Sequence, residues 1–235
     1  MGNVFLVSSE QGDIGKTIIG IKTGIELASR GKKVLLVDLS KGTKKVAEYL
    51  NVHEDIIYDI KDVLDSTCSM EQSVIDISDN LSVLPYPRIT NKLDNIKRES
   101  FTNLINEAKN KYDVAIVDVD CLSSCYYVDF SNIEGIIIIN NNDFSAVKEI
   151  NNAADIVEKF EIKKIMVIIN KFNKKNANKG IMLRIKDMKK MIEQDISGII
   201  EDELKYVNSD YDFLYNKDIN SFNNTIDLIV NKIYQ

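Results

Sequence analysis

A mainly parallel α/β sheet with helices on both faces is the fold class predicted for this chain of 235 residues. Three observations predict it. Short apolar runs recur along the sequence, as buried parallel strands require. Segments with apolar residues at helical spacing separate those runs. Two of the runs, Lys33–Asp38 and Tyr112–Asp118, end in a carboxylate, at the edge where such sheets collect ligand-binding groups.

In chain order, Asn3–Ser8 reads as the first buried strand. Residues 16–30 repeat Ile18, Ile19, Ile21, Ile25, Leu27 and Ala28 at helical period, and Gly31 stands just past the last turn, where a helix favours glycine. Lys33–Asp38 is the second strand and completes a βαβ unit. Residues 43–80 are helical in pattern but broken, over Lys44–Leu50, Ile57–Leu64 and Met70–Ile75. Asn80–Pro85 predicts a third strand, stopped by Pro85 and Pro87, which cannot donate to a ladder. A helix is expected over 94–110, with Ile96, Phe101, Leu104, Ile105 and Ala108 on one side. Tyr112–Asp118 and Gly135–Asn140 are the fourth and fifth strands. A helix over 144–160 turns Val147, Ile150, Ala153, Ala154 and Val157 inward, and Lys164–Asn170 is the sixth strand. Lys171–Lys179, rich in Lys and Asn, reads as an exposed polar loop. A helix at 181–193, a short strand at 195–200 and a final helix at 221–234 complete the chain. Phe222, Ile226, Ile229 and Ile233 give that last helix a core-facing stripe. No repeat or linker divides the sequence, so 1–235 reads as one domain.

Net charge is −6, with 44% hydrophobic and 28% charged residues. That balance suits a soluble globular chain and gives bulk nucleic-acid binding no support. The segment 171–190 is locally basic but lacks interleaved aromatics, and it reads as a solvated face. The three cysteines, Cys68, Cys121 and Cys125, have no framework spacing, which points to a reducing compartment. Cys121-Leu-Ser-Ser-Cys125 has no second pair to make a zinc site. No stretch reaches the roughly 18 apolar residues of a membrane span. The expected location is cytoplasmic.

Chemistry concentrates in one stretch, Ser8-Ser9-Glu10-Gln11-Gly12-Asp13-Ile14-Gly15-Lys16-Thr17. A strand precedes it and a helix follows. Its last three residues fit the P-loop pattern G-x-x-x-x-G-K-[ST], but Glu10 occupies the first glycine position. Backbone N–H groups from Gly12 through Ile14 and Gly15 to Thr17 and Ile18 are suited to phosphate, helped by the helix N-terminus. Lys16 is the expected partner of the β- and γ-phosphates. The Thr17 hydroxyl is the expected Mg²⁺ ligand, and Asp118 closes an apolar strand as a Walker B carboxylate must. Asp38 ends the next strand and is expected near the γ-phosphate.

On these residues the chain resembles the MinD/ParA family of deviant Walker A P-loop ATPases, and is closest to its MinD-type members. The family loop K-G-G-x-G-K-[ST] corresponds in register to Gln11-Gly12-Asp13-Ile14-Gly15-Lys16-Thr17. Gly31–Asp38 resembles the next strand with its switch Asp, and Tyr112–Asp118 resembles the Walker B strand. Ser145–Glu149 resembles the start of a later helix. Asn170 falls where family members place an Asn against adenine. Gly198-Ile-Ile-Glu201-Asp202 resembles a late G-x-I-P-x-D segment without its proline, which adds Glu201 to the expected nucleotide contacts. The likeness runs over about 1–215. It implies a P-loop NTPase sheet, ATP or ADP with Mg²⁺, a homodimer, and a protein partner that recruits or positions the chain. Membrane contact is expected only indirectly, by recruitment to its inner face, and nucleic acid is not an expected partner.

The departures bear on catalysis. The family's signature lysine, which reaches across a dimer to the partner's phosphates, is Gln11 here. The second loop glycine is Asp13. A second family Asp, two residues after the switch Asp, is Ser40, and the Pro after the Walker B Asp is Asp120. At 6–8 Å and an effective dielectric near 20, each changed charge matters by roughly 2–3 kcal/mol before screening. Gln11 cannot supply positive charge to a transferring phosphate. Asp120 is the candidate stand-in for the missing acid. The expectation is an ATP-binding protein for spatial positioning (division site, pilus or flagellum, or DNA partition) with weak or absent hydrolysis. The alternative is a nucleotide-binding scaffold. An autophosphorylating tyrosine kinase, suggested by Ser8–Gly12, lacks the C-terminal tyrosine cluster it would need.

Overall fold

Strands that are mostly apolar and buried along their length must be covered on both faces, and the central strands here are. The structure, a computed structural model, describes residues 1–9, 11–88, 93, 95–202, 211–215 and 220–234. Along the chain run β1 (Asn3–Ser8), α1 (Lys16–Ser29), β2 (Val34–Asp38), α2 (Val46–Tyr49), α3 (Ile60–Leu64), α4 (Met70–Ser73), β3 (Ile75–Ser78) and β4 (Leu81–Leu84). Then come α5 (Arg98–Lys111), β5 (Val114–Asp118), β6 (Gly135–Asn140), α6 (Phe144–Lys159), β7 (Lys164–Phe172), α7 (Lys174–Asn178), α8 (Ile185–Met191), β8 (Ile196–Glu201), α9 (Tyr211–Tyr215) and α10 (Asn220–Tyr234).

The sheet order is β3-β4-β2-β5-β1-β6-β7-β8, and only the β3–β4 pairing is antiparallel. Alternate residues feed opposite faces. Leu6, Leu35, Val117 and Ile138 pack with α3, α5 and α6 on one side. Phe5, Leu36, Ile116 and Ile139 pack with α1 and α10 on the other. The stripe Phe222, Ile226, Ile229 and Ile233 is buried, as its spacing predicts. β1 lies inside the sheet, with β2 and β5 to one side and β6 and β7 to the other. The crevice at its carboxyl end is where an open α/β sheet binds ligands.

Several elements differ from the sequence expectation. Met70–Ile75 is not one helix: α4 ends at Ser73, Val74 is extended, and Ile75–Ser78 is an edge strand. Its alternating partly buried and exposed residues have the period of a strand with one covered face. The helix expected over 94–110 begins at Arg98; Ile96 precedes it yet is still buried in the core. The loop expected at 171–179 contains α7, because the Asn173 side chain accepts a hydrogen bond from Asn176 N at 2.9 Å as its cap, and Ala177 is buried. The helix expected from 181 starts only at Ile185. α9 was not anticipated. It closes over α1, where the buried Lys22 ammonium donates to the Leu214 carbonyl at 2.5 Å. Among the described residues no helix is long and apolar enough to cross a membrane.

Phe101 of α5 is 1% exposed and meets Tyr127 edge-on at 5.2 Å between ring centroids. Phe101→Ala should cost about 3–5 kcal/mol of stability, read from the urea unfolding midpoint. A loss below about 1 kcal/mol would show that this face is poorly packed.

Candidate functional site

β1 delivers the chain into the loop before α1, and two positions there need left-handed backbone. Gly15, the N-cap of α1, has φ 86°, a conformation strained for a side chain. A Cβ on it would also lie 2.6 Å from Asn170 Nδ2. Asp13 has φ 53°, which Asp tolerates better than most residues. The loop is held from beneath by the end of β7. Asn170 Nδ2 donates to the Ile14 carbonyl at 2.7 Å, and Lys171 Nζ donates to the Asp13 carbonyl at 2.6 Å.

Above the loop lies a cleft of ≈ 460 Å³, within the size range of small-ligand sites. Gly12, Asp13, Ile14, Gly15, Lys16, Thr17 and Ile18 line it on one side. The segment Ser40–Lys44, with Tyr49, Asp120 and Cys121, lines the other side, and Ser9 and Gln11 complete the described lining. Asp118 and Asp38 sit below the cleft, at matching positions on the paired strands β5 and β2. Asn170, expected against a base, has its amide directed into the loop. Glu201 lies exposed at the end of β8, away from the residues that line the cleft. Glu10 lies outside the described residues.

Lys16 and Thr17, adjacent in the first turn of α1, converge on Asp118. Lys16 Nζ forms an ion pair with Asp118 Oδ1, and Thr17 Oγ1 donates to Oδ2 at 2.5 Å. Burial raises the pKa of the Asp118 carboxyl and outweighs the lowering by Lys16. Asp38 is pushed up to about 7, first by burial and then by Asp118. Its two oxygens accept from Ser40 N at 3.1 Å and Val46 N at 2.8 Å. It therefore fastens both ends of the loop that follows β2.

Ser40 is the hub of that loop. Its hydroxyl accepts from Lys16 Nζ at 2.8 Å and from Gly42 N at 3.3 Å, and donates to Asp120 Oδ1 at 3.2 Å. One donor and two lone pairs are thus all used. Asp120 Oδ1 also accepts from Lys41 N at 3.0 Å, and its carbonyl accepts from Ser8 Oγ at 2.6 Å. Gln11 is held within the chain: Nε2 donates to Asp143 Oδ2 at 2.9 Å and to Ser145 Oγ at 2.8 Å. These last partners, and the lining by Lys41, Lys44 and Tyr49, were not anticipated. The available signal was the basic run Lys41-Gly-Thr-Lys-Lys45, which begins three residues after the strand-end Asp38.

Mg²⁺ commonly takes one or two carboxylates together with substrate phosphates. A buried Asp118 beside the Thr17 hydroxyl fits that donor set. The left-handed turn at Gly15 and the open cleft fit a phosphate chain.

A family model described as the CobQ/CobB/MinD/ParA nucleotide binding domain matches residues 5–211. The septum site-determining protein MinD of Synechocystis sp. is 26% identical over 203 residues, covering 85% of this chain and 76% of that protein. A chain from the MinC:MinD cell division protein complex of Aquifex aeolicus superposes with TM-score 0.85 at 24% identity, covering 100% of this chain and 96% of that one. The septum site-determining protein MinD of Pyrococcus horikoshii OT3, complexed with Mg-ADP, superposes with TM-score 0.77 at 18% identity, covering 97% and 94%. At these identities the two solved structures show the fold.

The raised pKa of Asp38 gives a pH signature. The fold favours the protonated acid, so its stabilising effect is complete below the unfolded value of 3.8 and is lost as pH rises towards about 7. Between those limits the unfolded chain binds fewer protons than the fold, which gives a falling slope. Urea unfolding of the nucleotide-free protein should therefore show stability decreasing over that window. Asp38→Asn should flatten the decrease; an unchanged slope would place its origin elsewhere.

Proposed function

The chain belongs to the CobQ/CobB/MinD/ParA family of nucleotide-binding domains, and from that premise we propose that it is an Mg-ATP-binding positioning protein with weak hydrolysis. The observation that carries this reading is the convergence of Lys16 and Thr17 on the buried Asp118, under a cleft walled by the Gly12–Ile18 loop. In it, backbone N–H groups of Gly12–Ile18 and the Lys16 ammonium bind the β- and γ-phosphates. Thr17 and Asp118 hold Mg²⁺, which when bound neutralises phosphate charge. Asn170 acts by fixing the loop rather than by touching the base. One domain, 1–235, carries the activity.

Weak hydrolysis follows from what surrounds the terminal phosphate. Gln11 is neutral and tethered in cis to Asp143 and Ser145, so it offers a partner subunit no cation. Ser40 is no base. Asp120, a cleft-lining carboxylate 3.2 Å from Ser40 Oγ, is the group here that can orient a water through a hydrogen bond. Asp38, with both oxygens engaged by backbone N–H groups, relays the state of the site to the loop after β2. A Mg-ADP complex in a structural neighbour and the septum-site role of the curated relative support the choice of nucleotide and of a positioning role. The proposed assembly is a homodimer recruited by a protein partner, with membrane contact only through that partner and without nucleic acid. The tether on Gln11 also favours a second reading, a localisation scaffold in which bound nucleotide is structural.

Steady-state phosphate release separates the two. Wild type should turn over slowly, and Gln11→Lys should raise kcat at least about tenfold, since a trans cation at the transferring phosphate is worth ~10³ or more. Ser40→Asp alone should give little, because the new carboxylate abuts Asp120. Rapid wild-type turnover would sink the weak-ATPase proposal. No turnover in any variant, with tight nucleotide binding, would select the scaffold.

A further inference from the structure

We propose that the loop after β2 supplies, from within the same chain, the positive charge that meets the terminal phosphate of the bound triphosphate, carried by the ammonium groups of Lys41 and Lys44. The inference rests on the nucleotide-binding reading above and extends it to a second wall of the cleft. That wall is Ser40-Lys41-Gly42-Thr43-Lys44, which faces the Gly12–Ile18 loop across the opening.

The electrostatics of the cleft call for such a group. Among its described lining residues, Lys16, Lys41 and Lys44 are cationic and Asp13 and Asp120 are anionic. The Lys16 ammonium lies against the buried Asp118, so its charge is matched from below. Gln11 adds none and is bound to the start of α6. Without Lys41 and Lys44, the described lining would set one cation, Lys16, already paired with Asp118, against the acids Asp13 and Asp120.

The loop is also built to hold those lysines in place. Val46 N is fixed by Asp38 at 2.8 Å, Lys41 N by Asp120 at 3.0 Å, and Gly42 N by Ser40 Oγ at 3.3 Å. Lys45 turns the other way: its ammonium donates to the Ser40 carbonyl at 2.5 Å and lies 3.5 Å from the Tyr86 ring centroid. Lys45 is thereby a structural clamp. Lys41 and Lys44 are exposed at the cleft, and Lys44 Nζ rests 4.2 Å from the centroid of Tyr49, itself a cleft residue. A lysine on a surface loop is ordinarily a solvated charge. Here the loop is pinned at three backbone groups by the acids and serine of the site, and both exposed lysines fall on the cleft wall.

A cation that meets the terminal phosphate must discriminate triphosphate from diphosphate. The test is to measure Kd for Mg-ATP and Mg-ADP by calorimetry on the full chain, as wild type, Lys41→Ala, Lys44→Ala, the double alanine variant and the double arginine variant. Molecular mass is recorded in the same samples, and thermal unfolding checks that each variant folds. The double alanine variant should lose at least about tenfold in ATP affinity, with ADP affinity changed less than about twofold, as one lost charge-assisted contact predicts. The double arginine variant should keep the ATP preference, and the effect should appear in monomeric samples. Equal losses for both nucleotides, or none, would overturn the proposal while leaving nucleotide binding intact. Wild type binding neither nucleotide would overturn both readings. An ATP preference seen only in dimeric samples would overturn the same-chain origin of the charge.

Discussion

The site hangs on the burial of one carboxylate. Asp118 is 4% exposed at the end of β5, and an isolated charge there would be costly. Lys16 and Thr17 meet that cost from the first turn of α1, so the loop joining β1 to α1 is drawn to the sheet by the same contacts that satisfy the acid. Asp38, beside Asp118 in register, repeats the pattern with backbone donors, and so ties the loop after β2 to the same point. Two loops far apart in sequence become the two walls of one cleft because two buried acids each need donors.

The charge distribution over that cleft differs from a plain P-loop. At position 11 stands a neutral glutamine, tethered to Asp143 and Ser145. The acid that the family resemblance expects at 40 is a serine, whose hydroxyl joins Lys16 to Asp120. On the far wall the lining lysines are Lys41 and Lys44. On the function proposed above, binding and cleavage become separable, because Gln11 brings no cation to the cleft while Lys16 and Thr17 stand at its floor.

Much of the architecture was legible in the sequence because buried parallel strands are continuous apolar runs. Asn3–Ser8 and Gly135–Asn140 match their expected bounds. β3 was not legible: an edge strand with one covered face has only four residues and follows a short helix that shares its apolar spacing. α7 hid in a polar run because its stability comes from the Asn173 cap and one buried alanine, not from a stripe. In the site, local motifs marked Gly12–Ile18 and Asp118. Gln11 meeting Asp143, 132 residues away, has no local signature. The same is true of the 80-residue separation between Ser40 and Asp120.

That last pairing has an evolutionary consequence. Parallel register makes Asp38 and Asp118 neighbours, and two residues beyond each of them the side chains of Ser40 and Asp120 touch. An acid at position 40 and one at position 120 would occupy nearly the same place in space, though the two positions lie a third of the chain apart in sequence. Losing the first or gaining the second alone alters the local charge by one unit: a carboxylate pair if the gain comes first, a gap if the loss does. Together they restore it. Positions 40 and 120 should therefore be epistatic, with tolerance at one set by the residue at the other.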